Sequence, residues 1–99
     1  MTCKREEMDD RISLFIQGAL SIYEVIAVRE EIMACFKEDA VIQIDLSHVT
    51  ECDTAGVQLL LAARKTADQQ NRALAITGLS QAVTAILEGA GLRSDEITG

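Results

Sequence analysis

The side chains with chemistry to offer are densest between Asp45 and Thr54, in the stretch "DLSHVTECDT". Cys52 and His48 lie four residues apart, with Asp45 and Asp53 to either side. A thiol–imidazole pair needs spatial contact and an oxyanion hole, and closeness in sequence supplies neither. The plainer account is a loop histidine and a small packed thiol. Asp45, His48, Cys52 and Asp53 could also act as mixed metal ligands. Structural zinc, however, uses recognisable pairs of cysteines and histidines, and these are absent. Gly56 stands alone, without the glycine pattern of a nucleotide-phosphate cradle. What remains is Asp53-Thr54-Ala55-Gly56. Asp53 or Thr54 can cap a helix by accepting a free amide of its first turn. The same position leaves a hydroxyl at a helix N-terminus beside a carboxylate, where ligands and partners of α/β folds tend to gather. A phosphate there would add nearly two negative charges and be tolerated by the helix dipole. The residues themselves leave both readings open, the plain cap and the switchable hydroxyl.

The elements that must position this junction follow from periodicity. "RISLFIQG" alternates, with Ile12, Leu14 and Ile16 on one side and Arg11, Ser13 and Gln17 on the other, a half-buried strand closed by Gly18. Phe15 interrupts the alternation and is expected to cover the second face. A very short strand at Ala19 and Leu20 could pair back. Ser21 and Glu24 form a capping box, with Leu20 and Val25 as its hydrophobic staple. The helix is expected from about Ile22 to Lys37, burying Ile22, Val25, Ile26, Ile32, Met33 and Phe36.

"AVIQIDLS" is short and almost wholly apolar, the pattern of a central strand covered on both faces, ending at Leu46. A second helix runs from about Ala55 to Gln70. Gly56, Leu59, Leu60, Ala63 and Ala67 face inward, Leu61 widens the stripe, and Asn71 ends it. "ALAITG" is another buried strand. Ser80 caps a third helix with Leu79, Val83, Ile86, Leu87 and Ala90 inward, stopped by Gly89 and Gly91. Residues 1–10 are expected to be a frayed, flexible tail, 11–92 the domain, and 93–99 a polar tail with Ile97 in late contact.

The order β(β)αβαβα implies parallel neighbours joined by crossovers. The fold class is α/β: a single domain with a mixed sheet of four or five strands and helices mainly on one face.

A chain of 99 residues suits one core. A formal charge of −7 disfavours nucleic acid and anionic lipid, and favours a partner with a basic or neutral face. The apolar runs are too short to span a bilayer, and the charged start does not read as a signal peptide. Three widely spaced cysteines, Cys3, Cys35 and Cys52, fit reduced thiols in the cytoplasm.

Beyond these elements the chain resembles the STAS domain, the sulfate transporter and anti-sigma antagonist family. The resemblance rests on Asp45-Leu46-Ser47, then Asp53-Thr54-Ala55-Gly56, then Gly89-Ala90-Gly91-Leu92, with "GALSIYEV" similar to the family's entry into its first helix. It spans roughly residues 11 to 92. In the family's stand-alone antagonists a kinase-type anti-sigma factor phosphorylates the hydroxyl residue after the Asp, which here is Thr54. The unphosphorylated form binds the anti-sigma factor, and a phosphatase resets the cycle.

The resemblance implies a bacterial, cytoplasmic binding module. It implies no enzyme activity, no cofactor and no metal. Ser47, His48, Asp53, Thr54, Ala55, Gly56 and Gln58 would form the partner face, with Asp53 holding the loop and Gly56 permitting close approach. The sporulation and stress-response antagonists carry Asp-Ser-Ser-Gly-Leu-Gly, so this chain differs at Thr54, Ala55, Val57 and Gln58 and lacks the second acceptor. Threonine at that position also resembles STAS subunits that dock on the ATPase of bacterial lipid-transport ABC systems. Small chains of this look resemble STAS proteins of chemotaxis and two-component systems as well.

Overall fold

The structure, a computed structural model, describes residues 2–98. Four strands and four helices follow one another as β1 (Thr2–Met8), β2 (Arg11–Leu20), α1 (Val25–Phe36), β3 (Val41–Cys52), α2 (Thr54–Gln69), β4 (Leu74–Thr77), α3 (Gln81–Gly89) and α4 (Asp95–Thr98). The sheet order is β1-β2-β3-β4. β1 pairs antiparallel with β2, and the other two pairings are parallel, so the sheet is mixed.

Residues of alternate parity decide the layers. Ile12, Leu14 and Ile16 on β2, Ile42, Ile44 and Leu46 on β3, and Leu74 and Ile76 on β4 are all buried. Their register partners coincide, Ile12 with Ile42 and Leu74, Leu14 with Ile44 and Ile76. One face is therefore a continuous apolar surface, and the helices pack on it. The opposite face carries Ser13, Phe15, Gln43, Asp45 and Thr77, all half-buried. Phe15 sits there between Lys4 and Asp45. β3 is thus covered on one face, not two. Its polar alternates Gln43 and Asp45 are what distinguish the faces, and Gln43 donates to the Thr77 hydroxyl across the open side at 3.3 Å.

Among the described residues, Thr2–Met8 are strand where a frayed tail was expected. "TCKREEM" forms an edge strand joined to β2 by a two-residue turn, in which Asp9 takes a positive φ of 40°. Charged side chains suit an edge, where they discourage pairing with other chains. Arg5 binds Glu7 and Glu38 at 3.2 and 3.6 Å, tying β1 to the segment after α1. β2 runs unbroken to Leu20, so the separate short strand expected at Ala19 and Leu20 is part of it.

The other end is docked too. Ile97 is fully buried, and the Arg64 guanidinium on α2 donates to the carbonyls of Leu74 and Ile97 at 2.9 Å each. Residues 95–98 are therefore a fourth helical turn closing the core, in place of a polar tail. Arg72 does similar work near the end of α1, donating to the carbonyls of Phe36, Glu38 and Ala40.

α1 begins later and faces differently than its apolar content implied. Val28, Ile32, Cys35 and Phe36 are buried, while Ile22 and Ile26 are 64% and 72% exposed. "VIAVREEIMACF" is apolar on more than one side, so periodicity alone did not select the inward stripe. In α3, Val83 and Leu87 are buried but Ala90 is exposed. Ser80 caps that helix through Val83 N–H at 3.3 Å, and Gly91 ends it at φ 75°, as their residue types required.

Candidate functional site

Helix α2 starts at Thr54 because Asp53 turns the chain. Asp53 is extended (φ −120°, ψ −176°), and its Oδ1 accepts the Gly56 amide at 3.0 Å. This satisfies one of the free donors of the first turn. The other oxygen, Oδ2, accepts the Ile22 amide at 2.9 Å from the segment entering α1. One carboxylate thus fastens two element starts together. These bonds, Ile22 first and Gly56 second, hold the Asp53 carboxyl below its usual range.

Gly56 explains how closely the elements meet. A Cβ there would lie 2.4 Å from the Leu20 carbonyl oxygen and 3.0 Å from Cys52 Sγ. Only a glycine lets the first turn of α2 settle on the end of β2. Gly56 is accordingly buried and turned inward, with no side chain of its own to offer at the surface. Thr54 and Gln58 are exposed and Ala55 is half-buried. Because Asp53 is the cap, the Thr54 hydroxyl is not committed to capping.

The segment before Asp53 differs from the expected loop. β3 continues through it to Cys52, pairing with β2 across two irregularities of register. His48 pairs with Gln17 and Cys52 with Leu20, three residues apart on β2, which is roughly 10 Å of strand. The proposed nucleophile and base are therefore held apart. Ser47 and His48 belong to a separate polar cluster farther up β3. Asp45 Oδ1 accepts the Ser47 amide at 2.8 Å and the Ser47 hydroxyl at 2.6 Å, and Ser47 Oγ lies 3.1 Å from His48 Nδ1. The serine proton goes to the carboxylate, so it is not offered to the His48 ring. A catalytic relay needs the reverse order, with the imidazole taking the serine proton.

This cluster is a turn-like fastening in which Gly78, at φ 65°, approaches Asp45 so closely that a Cβ would stand 2.8 Å from Oδ1. Burial, then the Asp53 charge, pushes the Cys52 thiol up to about 11, far from a nucleophile's range. Among the described residues no group of three His, Cys, Asp or Glu side chains is placed to hold a metal ion.

Of the seven residues expected to form the partner face, the fold brings together Asp53, Thr54, Ala55 and Gln58. It turns Gly56 inward and sets Ser47 and His48 apart. Sequence reasoning placed Ile22 and Ile26 in the core and did not single out Tyr23; all three stand exposed, and the Ile22 amide lies against Asp53. The signal available was the capping box: it places Ile22 and Tyr23 in a first turn, where side chains need not reach the core. Only part of that box forms, in the turn ahead of the helix: Glu24 accepts from the Ser21 amide at 3.1 Å and hydroxyl at 2.6 Å, and Ser21 Oγ accepts the Tyr23 amide at 3.3 Å, while the N-cap of α1 is Glu24, without a side-chain cap bond.

Comparison with known proteins agrees with this architecture. The family model described as "Mlab, STAS domain" matches residues 3–98. The anti-sigma-B factor antagonist of Listeria monocytogenes is 30% identical over 89 residues, covering 89% of this chain and 78% of the relative. The protein of the same name in Listeria innocua matches equally.

Among solved structures, a serine-to-glutamate variant of RsbS from Moorella thermoacetica superposes with a TM-score of 0.77 at 22% identity, covering 99% of this chain and 85% of that one. The phosphorylated form of SpoIIAA from Bacillus gives 0.71 at 18% identity, with 92% and 85% covered. At those identities the structures speak for the fold. Among the described residues no helix is long and apolar enough to cross a membrane. With its mixed four-stranded sheet, one helical layer and family match from β1 to α4, the chain belongs to the STAS domain family.

Proposed function

We propose that this protein is an anti-sigma factor antagonist of the bacterial cytoplasm, a binding module switched by phosphorylation of Thr54. The observation that carries the reading is the exposed Thr54 at the first residue of α2, with the capping duty held by Asp53. The similarity to two anti-sigma-B factor antagonists supports an anti-sigma factor as the class of partner, and the switch requires that this partner act as a kinase. In the transfer step the γ-phosphoryl group of ATP passes to Thr54 Oγ1. The hydroxyl proton leaves to a base of the kinase, and ADP departs. A phosphatase returns the free hydroxyl.

Electrostatics favours a switch that leaves the fold intact. The first turn of α2 contains no acidic residue, and its N-terminal dipole tolerates a phosphate. A partner whose surface fits the free hydroxyl closely has neither room nor ready hydrogen bonds for the phosphate. It would have to desolvate a group of about −2 charge beside Asp53, on a chain already at −7.

The test is incubation of the purified chain with ATP and the anti-sigma factors of its own cell, one at a time, with the phosphosite read by mass spectrometry. Label on Thr54, absent in Thr54→Ala, is the expected result. Stable complex formation with an ABC-transporter ATPase, and no label with any anti-sigma factor, would replace this reading by the transporter-subunit one.

A further inference from the structure

Three large apolar side chains stand in solvent at the entry to α1. Ile22 is 64% exposed, Tyr23 90% and Ile26 72%. Single exposed hydrophobes are ordinary, but three within five residues at the entry to α1 are a grouping of the kind that marks an interaction surface. The core does not lack them, since Val28, Ile32 and Cys35 already fill the inward side of α1. Nor is the turn loose. The Ser21–Glu24 box fixes it from within, and Asp53 Oδ2 holds the Ile22 amide from outside. Such an anchor is pre-organised, so little ordering entropy is lost when it binds.

The same carboxylate holds the start of α2 through Gly56 N–H. The turn entering α1 and the first turn of α2 therefore meet at Asp53, which brings Ile22 and Thr54 to one end of the molecule. Charge decides what can cover it. Glu24 and Asp53 border the patch, Glu30 follows on the next turn, and the whole chain carries −7. A second copy of this chain would bring like charges against these acids, and so would an anionic membrane. A basic-rimmed partner is attracted by them. Arg29 lies three residues beyond Ile26 and is the cation nearest in sequence.

We infer that Ile22, Tyr23 and Ile26 are the apolar anchor for the anti-sigma partner, seated in a recess that the partner rims with Arg or Lys. This rests on the function proposed above. It adds that partner choice is read by α1 as well as by Thr54. Tyrosine and isoleucine anchors of this exposure typically dominate an interface, so Ile26→Asp should weaken binding by roughly 30-fold or more, and Tyr23→Ala by about 10-fold.

The experiment is calorimetric titration of the purified anti-sigma factor that labels Thr54 into wild type, Ile26→Asp, Tyr23→Ala and Thr54→Glu. Thermal melts and sedimentation of each chain alone accompany it. The expected result is loss of affinity in both α1 variants with unchanged melting temperature, from a wild type that sediments as a monomer. Wild-type affinity in both, with loss only in Thr54→Glu, would overturn the anchor and leave the switch standing. Absence of wild-type binding to every anti-sigma factor would overturn both. A wild-type dimer that Ile26→Asp dissociates would assign the patch to a second copy instead.

Discussion

The closest approach in the site makes opposite predictions for one substitution at two glycines. At Gly56 an added Cβ meets the Leu20 carbonyl oxygen at 2.4 Å, about 1 Å inside an ordinary contact, with Cys52 Sγ at 3.0 Å. The obstacle is backbone, which cannot rotate aside, so α2 must move off β2 or the end of β2 must bend. Forcing a methyl group into a packed site costs about 1–3 kcal/mol, and a backbone obstacle belongs at the upper end. Alanine recovers about 1 kcal/mol of helix propensity over glycine. Gly56→Ala should therefore lose about 1–2 kcal/mol net.

At Gly89, the last residue of α3, an added Cβ meets nothing within 4 Å, and only the propensity gain of up to about 1 kcal/mol remains. Each kcal/mol moves the melting temperature by about 4–8 °C in a domain of this size. Thermal unfolding followed by circular dichroism should place Gly56→Ala below wild type by about 5–15 °C and Gly89→Ala above it by a few degrees. A Gly56→Ala variant as stable as wild type would mean that α2 does not sit on Leu20 as described.

Other outcomes follow from the same contacts. Ser21→Ala should cost about 1 kcal/mol in chemical denaturation, because the hydroxyl's bonds to the Glu24 carboxylate and the Tyr23 amide go together. Asp53→Asn should lose stability relative to wild type at neutral pH. Its folded carboxyl lies below the unfolded value, so this contribution is complete above the unfolded pKa, near 4, and fades as pH falls through the folded one. Melting curves of the two proteins should converge only at acid pH. With its thiol pushed up to about 11, Cys52 should react with iodoacetamide at pH 8 roughly a hundredfold more slowly than an unfolded cysteine. Rapid native labelling at Cys52, mapped by mass spectrometry, would revive the enzyme reading.

Where a single physical rule determined the outcome, sequence was enough to read it. The alternation of Ile12, Leu14 and Ile16, the cap at Ser80, the positive φ of Asn71 at 54° and the inward stripe of α2 all follow from local chemistry. β1 was not legible, since a charged edge strand needs no apolar alternation and takes its hydrogen bonds from β2. The α4 turn depends on Arg64, a residue 33 positions away from Ile97. The extension of β3 past Leu46 was hidden because Ser47 to Cys52 alternate weakly and are held by pairing with β2.

At the site, the Asp53 cap was foreseeable from residue type. Its second bond, to Ile22, was not, because it joins residues 31 positions apart. That bond is also what brings the turn entering α1 against the start of α2.

The measurement closest to the central claim is partner affinity as a function of charge at residue 54. Isothermal titration of the anti-sigma factor would compare the unmodified chain, the chain phosphorylated on Thr54, Thr54→Ala and Thr54→Glu, each checked for an unchanged melting temperature. Thr54→Ala should bind as the wild type does, while the phosphorylated chain and Thr54→Glu should bind at least about 30-fold more weakly through charge and desolvation. Equal affinity in all four would contradict the switch, leaving Thr54 as no more than the first residue of a helix that Asp53 caps.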